Sequence, residues 1–564
     1  MPFARSILFA GLAFATLISV HLSPQTVFFS EWYCALGLVL AWASASWFKE
    51  EGSLRLGLPV LAVGLLLVVC LARLPLSSGL GYPLYLVLFL VAYAMGQRFR
   101  FEGGEGWIAG GLLLCALLQS FAGLAQLVGW RFGGLVMQKL YLQAFGNIAQ
   151  ANHYTDLIFL GLASLCYLRA RQKLQGVVFG GLAVWLCLAA AASASRGAWL
   201  YTAAFAVLGC WGLLRRGTEA ETREAAKSLL LVSGFSVLAQ VLVTYGELLS
   251  AFGVTSSLAR AADAGSNGQR LFDWQAAWLG IQAKPWWGEG PGAFYKVSID
   301  AMFKTPPAGF SKFAEHAHNL PLNLAAEFGV PVALIALGGF VVWYLRHLWR
   351  TPAVWSLWVL ACVAVTGLHS MVEYPLWYAY FLVPMGLVLG VLDAGDETLP
   401  ELRMPAWFGR ISSVLGLLVL AWIIADWVAL RSSYENLSDA EPQAPLEETV
   451  SVMRVLEWIG PLSVFSAHAE GLRIQAWRPE NGGIESVVSR CDRTWPYKPA
   501  WFMMMRCGEA YAISDESARL DRLAKALCDG FPKHHKPLQE WAENFDAKGL
   551  ASLKITGRAC LVEP

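Results

Sequence analysis

Apolar stretches long enough to cross a bilayer recur along this chain, parted for most of its length by short polar turns. A spanning helix needs roughly 17–25 mostly apolar residues. On that measure candidate spans fall near 6–22, 31–48, 55–73, 82–97, 107–129, 152–169, 175–193, 197–214, 228–250, 319–345, 354–371, 375–393 and 411–430. The pattern predicts an all-α polytopic membrane protein with about 12–13 transmembrane helices. The first run, Ile7 to Val20 after Arg5, has the look of a signal peptide, but no small-residue cleavage site follows, so it is expected to stay as the first helix. One polar interruption is far longer than the rest: the loop 251–318, which closes on Glu315-His316-Ala317-His318-Asn319. After Arg431 the chain turns polar and carries no further membrane-length run. The expected division is therefore a transmembrane domain over 1–430 and a soluble helical domain over 431–564. Amphipathic pieces of the latter lie at Thr449–Ile459, Pro499–Ile513 and Ala518–Leu527.

Charge gives these spans a direction. Charged residues make up only 15% of the 564 positions, well below the quarter usual in soluble domains. The net charge of +1 gives no basic surface for nucleic acid. Lys49 with Arg55, Arg98 with Arg100, Arg169/Arg171/Lys173, Arg215/Arg216/Arg223/Lys227, Arg346/Arg350 and then Arg403/Arg410 fall on alternate loops. Basic residues collect on the cytoplasmic side, so the amino terminus is expected there. Loops 130–151, 194–196, 251–318 and 372–374, and the tail with them, are expected on the opposite, extracytoplasmic face. Tryptophans near span ends (Trp32, Trp47, Trp107, Trp130, Trp349, Trp377) suit the membrane interface. Cys491, Cys507, Cys528 and Cys560 lie in the tail, where an even number in an extracytoplasmic domain points to two disulfides in one of three pairings.

Five polar clusters gather on that face. They are Phe145 to Tyr154, the turn Ser193-Ala194-Ser195-Arg196-Gly197, Asn267-Gly268-Gln269-Arg270-Leu271 with Trp274, the His316/His318 pair with Asn319, and Glu373-Tyr374-Pro375-Leu376. Each has a plainer explanation. Arg196 can snorkel to headgroups, Gln150 and Asn152 can cap a helix, and Gly288 to Gly292 lacks the Lys-Ser/Thr ending of a phosphate loop. The coincidence of all five is what favours a shared site. Arginine matches phosphate oxygens with a fixed fork, and a histidine can take a proton from a hydroxyl near neutral pH. Two arginines without an Asp-rich metal set suggest a diphosphate neutralised by side chains. The chemistry indicated is group transfer from a lipid-linked diphosphate to a hydroxyl, with no cofactor and no metal.

The same runs resemble the bacterial protein O-oligosaccharyltransferases, the pilin glycosylation ligases of the O-antigen ligase and polymerase superfamily. The resemblance rests on Gly146-Asn147-Ile148-Ala149-Gln150-Ala151-Asn152, Ser195-Arg196-Gly197, Gly268-Gln269-Arg270, His316-Ala317-His318-Asn319 and Glu373-Tyr374-Pro375-Leu376. It covers about residues 140–395. It implies a GT-C-like inner-membrane enzyme that moves a glycan en bloc from an undecaprenyl-diphosphate carrier to Ser or Thr of pilin or another periplasmic protein. It further implies a catalytic loop histidine, His318 by preference and His316 as the alternative. Arg196 and Arg270 match diphosphate ligands, and Gln150, Asn152 and Tyr374 match donor-binding positions. An O-antigen ligase acting on lipid A-core is the alternative reading, with O-antigen polymerisation third. A transporter or flippase for lipid-linked sugars is the reading from a different class; it expects charge along a path through the spans, whereas the charge here concentrates on one face.

Overall fold

The computed structural model describes residues 2–47, 51–74, 78–246, 248–257, 265–304, 312–350, 352–438, 452–531 and 534. The membrane-length pattern is realised as helices α1 (Pro2–Leu17), α2 (Phe28–Trp47), α3 (Leu58–Ala72), α4 (Gly81–Phe101), α5 (Glu105–Leu127), α6 (Ala151–Ala170), α7 (Gly176–Ala192), α8 (Gly197–Leu214) and α9 (Ala220–Thr244). The long loop contributes α10 (Gly265–Ala283), α11 (Phe294–Lys304) and α12 (Leu320–Phe328). Then come α13 (Val330–Trp349), α14 (Val354–Ser370), α15 (Ala379–Ala394) and α16 (Ala406–Ser438), and in the tail α17 (Ser466–Ala476), α18 (Ile484–Thr494), α19 (Trp501–Ile513) and α20 (Ser517–Gly530). Seven of these, α2, α4, α5, α8, α9, α13 and α16, are long and apolar enough to cross a membrane. Five shorter apolar helices and the 20-residue α6 occupy the other expected spans. The chain is an all-α polytopic membrane protein.

Two details depart from the sequence expectation. The run 319–345 is not one helix but two, α12 and α13, broken at Gly329 with φ +86°. A Cβ there would sit 2.2 Å from the Trp286 carbonyl oxygen, so glycine is required where the loop backbone presses on the break. The span is therefore α13 alone, and the polar loop extends through α12. A two-stranded antiparallel ribbon was also unforeseen: β1 (Glu51–Arg55) pairs with β2 (Glu401–Pro405), Ser53 opposite Arg403.

The chain divides into two compact units. One comprises Met1–Leu67, Tyr85–Ala264 and Ile335–Ala421. Its helices approach through small residues, as bilayer helices do when lipid supplies no hydrophobic drive between them. A Cβ on Gly96 of α4 would lie 2.0 Å from the Leu387 carbonyl oxygen of α15, and one on Gly390 would lie equally close to the Tyr93 carbonyl oxygen. Gly11 and Gly37 do the same for α1 and α2. Polar side chains inside this unit are matched to one another: Asp393 accepts from Tyr93 and from the Trp343 indole (2.6 Å), and Asp156 meets His369 Nδ1 at 2.6 Å.

The second unit comprises Val68–Leu84, Gly265–Leu334 and Trp422–Pro564. Here loop and tail share one hydrophobic core. Phe272, Ile299, Met302 and Phe313 of the loop pack with Ile474, Met504, Tyr511 and Leu527 of the tail. Lys498 of the tail pairs with Glu315 at 3.0 Å, and Arg522 with Asp300 at 2.7 Å. Of the three expected amphipathic tail runs, α19 and α20 cover two, and Cys491 of α18 is bonded to Cys507 of α19. Cys528 is disulfide-bonded as well, while Cys560 lies outside the described residues, as does the start of the run 449–459.

The Cys491–Cys507 bridge closes a sequence separation of 16. Closing a loop of about that length stabilises by roughly 3 kcal/mol in the chain-entropy account. Purified protein denatured without reductant is expected to leave Cys491 and Cys507 unlabelled by a maleimide. The Cys491→Ala/Cys507→Ala variant is expected to make the tail susceptible to limited proteolysis at lower temperature. Full labelling of both thiols in unreduced protein would refute the bridge.

Candidate functional site

The five sequence clusters come together as two groups, one in each unit. In the first unit they meet at the starts of α6 and α8 and at the turn after α14. The approach to α6 is rigid. Asn147 is buried, its amide donates to the carbonyls of Leu17 and Leu135 (both 2.7 Å), and its backbone N–H donates to Gln119 Oε1. Gly146, at φ +60°, sits where a Cβ would meet the Gln119 Oε1 at 2.3 Å. Gln150 then caps α6, its side-chain oxygen accepting from the His153 N–H at 3.3 Å. The helix-cap explanation for Gln150 thus holds.

Asn152, two residues on, does something a cap does not. Its Nδ2 donates to Glu373 Oε1 at 3.0 Å, and its Oδ1 accepts from Ser195 Oγ at 2.8 Å. One amide therefore ties the Ser193–Arg196 turn to the Glu373–Tyr374 turn. Ser193 adds a 2.7 Å contact to Thr155, and Ala194 adopts φ +50° to make so short a turn. Arg196 stands half-buried at the head of α8. Tyr374 is half-buried and stacks on Tyr378 with ring centres 5.9 Å apart.

In the second unit the histidine pair resolves into two different residues. His316 is buried at 7% exposure, and burial pushes its imidazole down to about 4, against the Glu315 carboxylate and together with His318 and Lys498. It is therefore neutral at neutral pH. His318 is half-buried and carries φ +52°, a left-handed conformation uncommon for a side-chain-bearing residue. Its neighbours fix it there: the Ala317 N–H donates to Asn323 Oδ1 at 2.8 Å, and Asn319 caps α12 through the Leu322 N–H at 3.1 Å. Strained positions of this kind persist where the surroundings over-determine them.

Gln269 brings the Gln269–Arg270 cluster to the same segment. Its amide brackets Lys312, donating to the carbonyl at 3.0 Å and accepting the N–H at 3.3 Å. It also donates to Asp273 Oδ1 at 2.8 Å. Asp273 is fully buried, yet burial lifts its carboxyl only to about 6, because the Gln269 amide and the charges of His318, Lys312 and Arg270 oppose the rise. The sequence motifs do not single out Asp273, although it follows Gln269 by four and Arg270 by three, the spacing of one helix face. Glu373 stands in the fifth cluster, and its partner Asn152 lies 221 positions away.

The glycine run 288–292 has a structural role here. Gly288 (φ +63°) would place a Cβ 2.3 Å from the Glu327 carbonyl oxygen, so the turn wraps closely around the end of α12. Glu327 answers by accepting the Gly292 N–H at 3.1 Å.

Two family profiles match the chain. One, described as O-antigen ligase, covers residues 181–337, and the other, described as virulence factor membrane-bound polymerase, C-terminal, covers 357–544. Over those residues the chain is similar to the O-antigen ligases and polymerases, which are membrane proteins. The chain is 27% identical to a general O-oligosaccharyltransferase of Acinetobacter baylyi, over 66% of its own length and 65% of that protein's. It is 24% identical to the ComP-specific O-oligosaccharyltransferase of the same organism, over 55% of each chain. The resemblance to protein O-oligosaccharyltransferases read from the sequence motifs agrees with both. The chain spans a little under two thirds of the length of the first relative and about half of the second.

The Asp273 carboxyl yields a stability test with a definite sign. Its folded value, about 6, lies above its ordinary 3.8, so the folded state holds the proton more tightly. Stability is then greatest below about pH 4 and declines as pH rises through about 6, by up to about 3 kcal/mol. Asp273→Asn removes that cost. Its thermal midpoint is expected to exceed the parent's at pH 7.5 and to do so by much less at pH 4.5. Equal midpoints at both pH values would contradict a buried, charge-bearing Asp273.

Proposed function

We propose that this chain is a protein O-oligosaccharyltransferase of the bacterial inner membrane, with its active face in the periplasm. The donor is a glycan on undecaprenyl diphosphate, and the acceptor is a Ser or Thr hydroxyl of pilin or another periplasmic protein. The observation that carries the reading is His318, held half-exposed in a fixed left-handed conformation at the entrance of α12, with Arg270 and buried Asp273 on the neighbouring helix. The names of both relatives support the reaction class.

In the proposed reaction the acceptor oxygen forms a bond to the anomeric carbon while His318 takes its proton. The bond from that carbon to the phosphate oxygen breaks, and the diphosphate leaves with the electron pair on its lipid. Arg196 and Arg270 are assigned to the charge that develops there, and Gln150, Asn152 and Tyr374 to hydrogen bonds with the donor. General-base help is worth roughly 10²–10⁴ in rate, and preorganised donors at the developing charge contribute at least as much. O-antigen ligation to lipid A-core is the second reading, favoured by the profile over 181–337.

Co-expression with a lipid-linked glycan pathway and a pilin acceptor tests the proposal, read by mass spectrometry of the acceptor. Glycan on pilin Ser or Thr supports it. Glycan on lipid A-core with unmodified pilin overturns it in favour of the ligase. His318→Ala is expected to abolish transfer while the protein still inserts, and His316→Ala to act chiefly by loosening the fold. Wild-type transfer by His318→Ala would remove it from the chemistry. Arg270→Ala and Arg196→Ala are each expected to lower donor use by one to two orders of magnitude, roughly, with Lys rescuing only in part because it lacks the fork. Unchanged turnover in both, at normal expression, would dismiss them as ligands.

A further inference from the structure

Two tryptophans of the long loop stand apart from the chemistry. Trp286 and Trp287 lie in the turn between α10 and α11 and are 70% and 74% exposed. Large aromatic side chains left bare on a loop need a reason. The turn that carries them is bound to the ends of two apolar helices. On one side Arg73, the residue following α3, donates to the carbonyl oxygens of Trp287 and Gly288. On the other side the N–H of Val330, the first residue of α13, donates to the Pro285 carbonyl at 2.8 Å. The fit is close as well as bonded. Gly329 meets the Trp286 carbonyl, and Gly288 meets the Glu327 carbonyl, at separations no side chain would allow. The turn is held at the level where α3 ends and α13 begins.

The surface of those helix ends is apolar. Val68, Leu71 and Leu74 are 64%, 54% and 40% exposed, and Leu334, in the second turn of α13, is 66% exposed. Residues of that kind on membrane helices face lipid. Indoles favour the headgroup level because one end of the ring is apolar and the other donates a hydrogen bond.

We propose that Trp286 and Trp287 form a phospholipid-binding wedge, seated in the headgroup–acyl boundary and continuous with the lipid-facing ends of α3 and α13. The wedge fixes the loop at headgroup depth. If the function proposed above is correct, that is the depth at which a lipid-linked diphosphate presents itself to His318. The occupant is phospholipid because the exposed rings extend a surface that lipid already covers, and because the nearest charges are spent within the protein: Glu289 pairs with Lys284 at 2.8 Å and with Lys296 at 2.9 Å.

The test uses the full chain with p-benzoylphenylalanine placed singly at Trp286, at Trp287 and, as a control, at the exposed Ser517 that begins α20. Each variant is reconstituted in vesicles of phosphatidylethanolamine and phosphatidylglycerol containing an alkyne-tagged phospholipid, then irradiated. Lipid adducts at 286 and 287, with only background at 517, are expected. Labelling at 286 and 287 no greater than at 517, or adducts to a second protein in place of lipid, overturns the wedge. Because the readout is lipid attachment and not glycan transfer, its failure is separable from failure of the proposed reaction.

Discussion

A bilayer offers no partner to a bare N–H or C=O, and the rest of this structure follows from that constraint. Helices satisfy their own backbone, so polar function is confined to the places where helices begin and end. The turns before α8 and after α14 are accordingly short, and side chains close them. Asn152 is the economical solution: one amide reaches both the Ser195 hydroxyl and the Glu373 carboxylate. The left-handed residues Ala194 and His318 and the glycines at 146, 288 and 329 mark the points where a turn had to be tighter than an ordinary backbone permits.

Much of this was legible because membrane length and polarity are coarse signals. Runs of apolar residues announced the spans, and the exceptions to apolarity announced the clusters. What was hidden depended on distance or on backbone. The break between α12 and α13 is silent in hydropathy, since Leu320 to Leu345 stays apolar across it, and only the pressure of the Trp286 carbonyl on Gly329 explains it. The β1–β2 ribbon joins segments about 350 positions apart through backbone alone. The difference in burial between His316 and His318 is not written in a run of five residues; it is set by the surrounding core and by Lys498, 183 positions from its partner Glu315. Three of the five clusters lie in the first unit and two in the second, each set joined by its own hydrogen bonds.

The Lys498–Glu315 pair also shows how an energetically modest contact can matter. Glu315 is about half exposed, and a pair so placed contributes little net stability, of order 1 kcal/mol or less. Burial alone would raise the Glu315 carboxyl, but the ammonium of Lys498 and the neighbouring His316 hold it at about 2, so it stays ionised throughout the physiological range. The pair sets the register between the tail and the segment that ends in His318. Hydrophobic packing supplies the adhesion, and the ions supply the alignment.

That shared core has a consequence for the order of synthesis. Phe272, Ile299, Met302 and Phe313 emerge from the ribosome well before Ile474, Met504, Tyr511 and Leu527, which complete their burial. In the interval the loop has apolar faces and no partner for them. Contacts so distant in sequence form slowly, because the intervening chain must first be ordered. The nascent protein therefore passes through a stage in which its membrane helices are in place and its loop is unfinished. A chain interrupted between the last membrane helix and α17 would carry those apolar faces without the residues that bury them.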